Sequence, residues 1–297
     1  MNFRSGFVSI IGRPNVGKST ILNGFAGEKI AITSNKPQTT RNVIKAIDTG
    51  EDYQIVFMDT PGIHKPRTRL GDFMVNSALE ALEGVDLVLF LVEATDQKLG
   101  PGDQYIIEQI KGINIPVFCL INKIDLVEKK RILPLISIFK ELMDFSQIIP
   151  ISALEHESLV LVKNEIKNTL PKGPKYFPED MITDQPERVI AAEIIREKIL
   201  ELVSEEVPHG VGVEVLSFKN REEKEILDIQ ANIYCDKKTH KGILIGKDGK
   251  MLKRVGSLSR IEIERIFNTK VFLELWVKIK SDWRNSNTVL KTLGYKR

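Results

Sequence analysis

Gly12-Arg13-Pro14-Asn15-Val16-Gly17-Lys18-Ser19 decides how the rest of this 297-residue chain is read. The octet has the spacing G-x-x-x-x-G-K-[ST]. It follows an apolar run, Phe7-Val8-Ser9-Ile10-Ile11, and opens a helical stretch from Lys18 to Phe25. Strand, glycine-bounded loop and helix in that order predict a phosphate cradle. The glycines let the backbone turn tightly enough for successive amides to face one anion, and the helix adds the positive end of its dipole. In such a cradle Lys18 reaches the outer phosphates and Ser19 offers its hydroxyl to Mg²⁺. Asn15, Val16, Gly17 and Thr20 complete the nucleotide-binding stretch.

Working outward, the length suggests two domains, at roughly 100–200 residues each. Hydrophobic residues make up 42% of the chain and charged residues 28%, an ordinary globular balance. Cys119 and Cys235 both sit in apolar patterns, which points to reduced core thiols in a cytoplasmic protein. The four histidines show no metal-ligand spacing. No run approaches the roughly 18 apolar residues of a spanning helix. Charge is uneven: residues 189–236 carry 5 basic and 11 acidic side chains, whereas residues 237–297 carry 16 basic and 5 acidic. A segment that basic suggests a polyanionic partner.

Beyond the octet, Asn42 to Asp48 and Tyr53 to Met58 read as strands joined by a hairpin turn. The second ends at Asp59-Thr60-Pro61-Gly62. A carboxylate there, beside a phosphate loop, suits Mg²⁺, and Gly62 can bring a bare amide to a terminal phosphate. Asp86 to Val92 and Pro116 to Ile121 read as parallel strands buried on both faces. The latter runs into Asn122-Lys123-Ile124-Asp125. Asp125 can accept two hydrogen bonds from guanine N1–H and the exocyclic amine, a pairing adenine cannot supply. Asn122 and Lys123 would brace the loop and pack on the base. A strand from Gln147 leads to Ser152-Ala153-Leu154, where a backbone amide can meet the guanine carbonyl. Strands alternating with helices predict an α/β, doubly wound, mostly parallel sheet.

The order GRPNVGKS, Thr-Thr-Arg, DTPG, NKID, SAL resembles the translation-factor-related class of P-loop GTPases. That resemblance implies that Thr40 closes on Mg²⁺ and the γ-phosphate, with Thr39 beside it as the alternative. The position after D-x-x-G, where many GTPases carry a water-orienting glutamine, holds Ile63. It resembles the branch with a hydrophobic replacement. There the loop asparagine, matching Asn15, can help hold an activating K⁺. Lys18, Thr40 and Asn15 are therefore the expected catalytic group. His64, next in line, shows no orienting partner in the sequence.

Proline-rich residues 173–188 read as a linker separating residues 1–172 from residues 189–297. In the second part Leu227 to Cys235 and Val271 to Ile279 alternate as half-buried strands. Between them Gly246-Lys247-Asp248-Gly249 forms a G-x-x-G loop with an apolar prelude and a basic flank. This is the backbone clamp of a KH domain, and the αββααβ order is the type II arrangement. Lys241, Lys247, Lys250, Lys253, Arg254, Lys278 and Lys280 are the expected RNA contacts, together with Gly246, Asp248 and Gly249. Trp276 and Trp283 are expected to pack against the domain.

An N-terminal GRPNVGKST and QTTR, a short linker and a type II KH domain ending in LELWVKIKSDWR…LGYKR resemble the Era family of bacterial GTPases. The resemblance covers nearly the whole chain. It implies GTP hydrolysis with Mg²⁺, binding near the 3′ end of small-subunit ribosomal RNA, and a role in maturing the 30S particle. A monomer in the cytoplasm with some contact at the inner-membrane surface is also implied. Asp248 departs from the family, where glycine is commoner at that position. The competing reading, a signalling GTPase whose basic terminus binds anionic lipid, leaves the G-x-x-G loop unexplained. An ATP-dependent kinase conflicts with Asn122 to Asp125.

Overall fold

The apolar runs become the central strands of a six-stranded sheet, and their residues alternate between two cores. In β4 (Leu87–Glu93), Leu87, Leu89 and Leu91 join one core, while Val88, Phe90 and Val92 join the other. A strand covered by helices on both sides has no polar face, which is why it reads as continuous hydrophobicity. The computed structural model describes residues 3–34, 36, 38–96, 99–204, 207–221 and 225–295.

Around β4 the chain runs β1 (Arg4–Gly12), α1 (Lys18–Ala26), β2 (Ile44–Thr49), β3 (Tyr53–Asp59) and α2 (Arg69–Glu80). After β4 come α3 (Pro101–Ile110), β5 (Val117–Asn122), α4 (Ile132–Leu142), β6 (Gln147–Pro150) and α5 (His156–Thr169). The strand order is β2-β3-β1-β4-β5-β6, with β2 antiparallel to β3 and the other pairs parallel. The loops after β1, β3, β5 and β6 therefore open at one end of the sheet, where ligands of such folds bind.

The linker differs from expectation. Contacts divide the chain into residues Met1–Pro66 with Met74–Asp184, and Arg67–Phe73 with Gln185–Arg297. Residues 173–184 thus belong to the first unit. Gln54, fully buried on β3, holds them: its Oε1 accepts the amides of Tyr176 (2.6 Å) and Phe177 (2.9 Å), and its Nε2 donates to the Phe177 carbonyl (2.9 Å). Farther on, the Ile47 amide donates to the Ile182 carbonyl (2.9 Å) and the Thr183 hydroxyl to the Lys45 carbonyl (2.7 Å). Proline content signals a stretch that forms no regular element, and says nothing of side chains elsewhere that bind it.

The second unit contains α6 (Glu187–Leu202), β7 (Gly212–Arg221), β8 (Ile226–Cys235), α7 (Lys238–Ile245), α8 (Lys250–Phe267), β9 (Lys270–Ile279) and α9 (Asn287–Thr292). Its sheet has the order β7-β8-β9, antiparallel then parallel, with a bulge between Val215 and Ser217. Leu227, Ile229, Ala231 and Ile233 of β8, and Val271, Leu273, Leu275 and Val277 of β9, share a core with α6, α7 and α8. Their odd numbering is the period-2 signal seen in the sequence.

Candidate nucleotide site and nucleic-acid interface

Gly17, at φ 103°, caps the N-terminus of α1 in a conformation that L side chains avoid. The loop it ends wraps Lys18, which is buried, with Nζ donating to the carbonyls of Gly12 (3.1 Å) and Arg13 (2.8 Å). Burial lowers the ammonium pKa to about 8, against the opposing pull of Asp59. Arg13 is itself anchored through Nε to Asp103 (2.7 Å) and by an ion pair to Asp96.

Ser19, Thr40 and Asp59 meet at the mouth of this loop. Ser19 Oγ donates to Asp59 Oδ2 at 2.6 Å and lies 2.8 Å from Thr40 Oγ1, which donates to the same carboxylate oxygen at 3.2 Å. Asp59 is fully buried, and its Oδ1 has no hydrogen-bond partner among the described residues. Burial raises its pKa, and Lys18 and the two hydroxyls oppose that shift. A dry carboxylate with an unsatisfied oxygen beside two hydroxyls is a hard-oxygen donor set, the kind Mg²⁺ takes. Thr39 stands apart, with its hydroxyl donating to the Lys36 carbonyl at 2.6 Å.

Gly62 passes against the loop so closely that a Cβ there would lie 2.7 Å from the Pro14 nitrogen. Ile63 is buried in the second core with its amide bonded to the Gly12 carbonyl (3.2 Å), so its side chain serves packing. His64 gains the partners that the sequence does not show. Nδ1 lies 2.8 Å from the Gly62 carbonyl, an acceptor, which makes Nδ1 the protonated nitrogen. Nε2 then accepts from Gln38 Nε2 at 3.3 Å.

Asn122 bridges two loops. Its Nδ2 donates to the Val16 carbonyl (2.8 Å) and its Oδ1 accepts the Ala153 amide (2.9 Å), tying the phosphate loop to the Ser152–Leu154 turn. The Ala153 amide is thereby already engaged. Ser152 is fully buried, Leu154 is 80% exposed, and Asp125 lies exposed on the turn Ile124–Leu126. Lys123 Nζ donates to the Asn15 carbonyl (2.9 Å) and pairs with Glu93 at the end of β4. Sequence reasoning missed Glu93; the only signal was an acid closing an apolar strand at the site's end of the sheet. Thr20 lies in the first turn of α1.

In the second unit Gly246 and Gly249 take φ 73° and 74°, and Asp248 between them takes 54°. A Cβ on Gly246 would lie 2.7 Å from Met251 Cβ, so the clamp folds tightly onto the start of α8. Lys247, Lys250, Lys253 and Arg254 are exposed there, and Lys241 is half-buried on α7. A groove of about 530 Å³ runs from Gly249 between α8 and β9, lined by Leu252, Gly256, Leu273 and Leu275, with Lys253 and Arg260 also bordering it. Lys278 and Lys280 do not join this group. Lys278 follows the core residue Val277 and so points from the opposite face of the sheet, and Lys280 Nζ sits 4.1 Å from the Tyr234 ring centroid on that same face. Trp283 is fully buried and donates to the Gly210 carbonyl (2.8 Å), whereas Trp276 is 41% exposed. The alternation that identified β9 also separates Lys278 from the clamp, while Phe272 still borders the groove.

Residues 7–123 match a family model described as a 50S ribosome-binding GTPase, and residues 206–284 match a KH domain. Over 296 residues the chain is 59% identical to the GTPase Era of Ruminiclostridium cellulolyticum, covering 100% of this chain and 99% of that one. The chain belongs to the Era family of GTPases. The Era of Alkaliphilus metalliredigens is 55% identical over 295 residues, covering 99% and 100%. A crystal structure of an Aquifex aeolicus Era variant bound to GDP·AlF₄⁻ matches with a TM-score of 0.95 at 42% identity, over 99% of this chain and 100% of that one. A solved Era in complex with MgGDPNP and nucleotides 1506–1542 of 16S ribosomal RNA matches equally well, with the same TM-score, identity and coverage. The Era architecture, a mostly parallel GTPase sheet followed by a KH domain, is the one the sequence implied.

Proposed function

We propose that this Era-family chain binds and hydrolyses GTP and couples that cycle to holding small-subunit ribosomal RNA near its 3′ end, in assembly of the 30S subunit. The observation that carries this reading is the meeting of Ser19, Thr40 and Asp59 beside the buried Lys18, on a chain whose second unit presents a G-x-x-G clamp. Lys18 holds the outer phosphates. Asp125 reads guanine, and the Leu154 amide replaces the engaged Ala153 amide at the base. Ser19, Thr40 and Asp59 would hold Mg²⁺, which when bound neutralises charge across the phosphates. Hydrolysis adds water across the terminal P–O bond, releasing GDP and phosphate.

The buried Ile63 cannot orient that water, which makes intrinsic turnover slow and leaves room for K⁺ near Asn15 as an activating charge. Asn15 takes φ 68° with its carbonyl held by Lys123, a shape that asparagine tolerates better than most residues. Faster GTP hydrolysis in KCl than in NaCl, lost in Asn15→Ala, is the expected result; equal rates in the two salts remove K⁺ from the mechanism. No helix among the described residues is long and apolar enough to cross a membrane. Contact with the inner-membrane surface would be peripheral for a cytoplasmic monomer of this kind.

The G-x-x-G clamp and the groove beside it favour RNA over lipid as the polyanion. Crosslinking to total cellular RNA with GTP, with GDP and without nucleotide, followed by sequencing of the bound fragments, tests the reading. Fragments from the 3′ end of the small-subunit RNA, enriched in one nucleotide state, are expected. Random recovery in all three states would overturn it.

A further inference from the structure

We infer that the open face of the KH sheet, opposite α6, α7 and α8, is a second contact surface for single-stranded RNA, continuous with the groove and with Trp276 as its stacking platform. The inference rests on the reading of the α8–β9 groove as an RNA site. β9 belongs to both surfaces: Leu273 and Leu275 line the groove, Phe272 borders it, and the alternation of the strand sends Trp276 and Lys278 to the other side. It is also the edge strand of its sheet. A strand of RNA longer than the groove can therefore cross the free edge of β9 and lie on the open face without leaving the protein.

That face has the chemistry of a single-strand platform. Trp276 and Phe272 are 41% and 46% exposed, and exposed aromatic faces on a sheet are where bases stack. The Arg221 guanidinium carbon lies 5.0 Å from the Phe272 ring centroid, and Lys280 Nζ sits over Tyr234. The register places Lys219, Arg221, Lys270 and Lys278 on the same side. The carboxylates there are already engaged: Asp228 with Arg221, Glu274 with Gln230 Nε2 (2.9 Å), and Glu214 with the Tyr234 hydroxyl. Asn232 pairs with Trp276 across the sheet and is buried, a packed base for the exposed ring. Phosphate-binding cations and exposed rings are the two parts that single-strand binding uses.

The test compares a 5-nucleotide and a 12-nucleotide unpaired RNA on the full chain, since a KH groove holds about four nucleotides. The 12-mer is expected to bind about tenfold more tightly and to quench tryptophan fluorescence that the 5-mer leaves unchanged. Trp276→Ala should remove both the tenfold advantage and the quenching while leaving 5-mer affinity as it was. Lys278→Gln should flatten the salt dependence of 12-mer binding alone, as expected for a lost phosphate contact. Equal affinity for the two lengths, or an advantage that survives both substitutions, would overturn the inference. So would a Trp276→Ala protein that binds the 12-mer normally but loses association with ribosomal protein, which would make the face a protein contact. Gly249→Asp tests the groove separately: if it leaves 5-mer binding intact, the KH reading itself fails whatever the open face does.

Discussion

Asn122 occupies the place a side chain at residue 17 would need, for a Cβ built on Gly17 collides with the Asn122 amide nitrogen. The residue that joins the base end of the site to the phosphate loop is thus packed on a loop position that has no side chain. Gly17→Ala meets both this collision and the strain of φ 103°, a combination that costs about 2 kcal/mol or more. Asn122→Ala leaves the Val16 carbonyl and the Ala153 amide without their partner, at about 1–3 kcal/mol for each buried group. Urea unfolding with and without GDP checks both. Each variant should be destabilised without ligand and gain less from GDP than the parent protein does.

Lys18 gives a pH signature. Its folded-state pKa of about 8 lies below the usual 10.5, so the unfolded chain binds more protons than the folded one between those values. Stability of the nucleotide-free protein from this group therefore rises as pH climbs from 8 through 10.5. Lys18→Met should raise the Tm of nucleotide-free protein at pH 7 more than at pH 10, and abolish GTP binding. Thermal scans at both pH values, with a filter-binding assay, read the two effects.

The two neighbouring threonines should behave differently. Thr40→Ala removes a hydroxyl from the Asp59 cluster, and a fall of about a hundredfold in Mg²⁺-dependent kcat is expected, the scale of one lost electrostatic contact. Thr39→Ala removes a hydrogen bond to the Lys36 carbonyl and should stay within about threefold. Single-turnover hydrolysis at saturating GTP separates the pair.

At the base end, Asp125→Asn exchanges two acceptor oxygens for one acceptor and one donor. GTP affinity should drop by about a hundredfold or more, and xanthosine triphosphate, which offers a carbonyl where guanine has its amine, should bind better than GTP. A competition assay against labelled GDP reads this directly.

Asp248 sits at φ 54° inside the clamp. Asp248→Gly relieves a left-handed conformation and should stabilise the second unit by about 1 kcal/mol. It also removes a carboxylate from a phosphate-facing loop, so RNA affinity should rise several-fold, most clearly at low salt. Loss of stability in this variant would show that the aspartate has a local partner that matters more than its strain.

These residues differ in how far the sequence announced them. The phosphate loop, Asp59, Asn122, Asp125 and the G-x-x-G loop were legible because each is a short run whose spacing fixes a backbone shape. The six-stranded sheet was legible because β4 and β5 bury both faces. Thr40 needed the structure, since two adjacent threonines differ only in which way the chain turns. Glu93 and Gln54 left little or no trace, because one acid or amide in a strand acquires its meaning from a partner 30 or 123 residues away. Which surface Lys278 joins was not legible, because a strand sends successive side chains to opposite faces and position along the chain does not tell them apart.

Gln54 carries a practical consequence. With residues 173–184 fastened along β2 and β3, a truncation ending at residue 172 would strand a fully buried carboxamide and bare the backbone edge of β2, a template for pairing with a second molecule. A shortened protein ending at residue 184 keeps that edge covered.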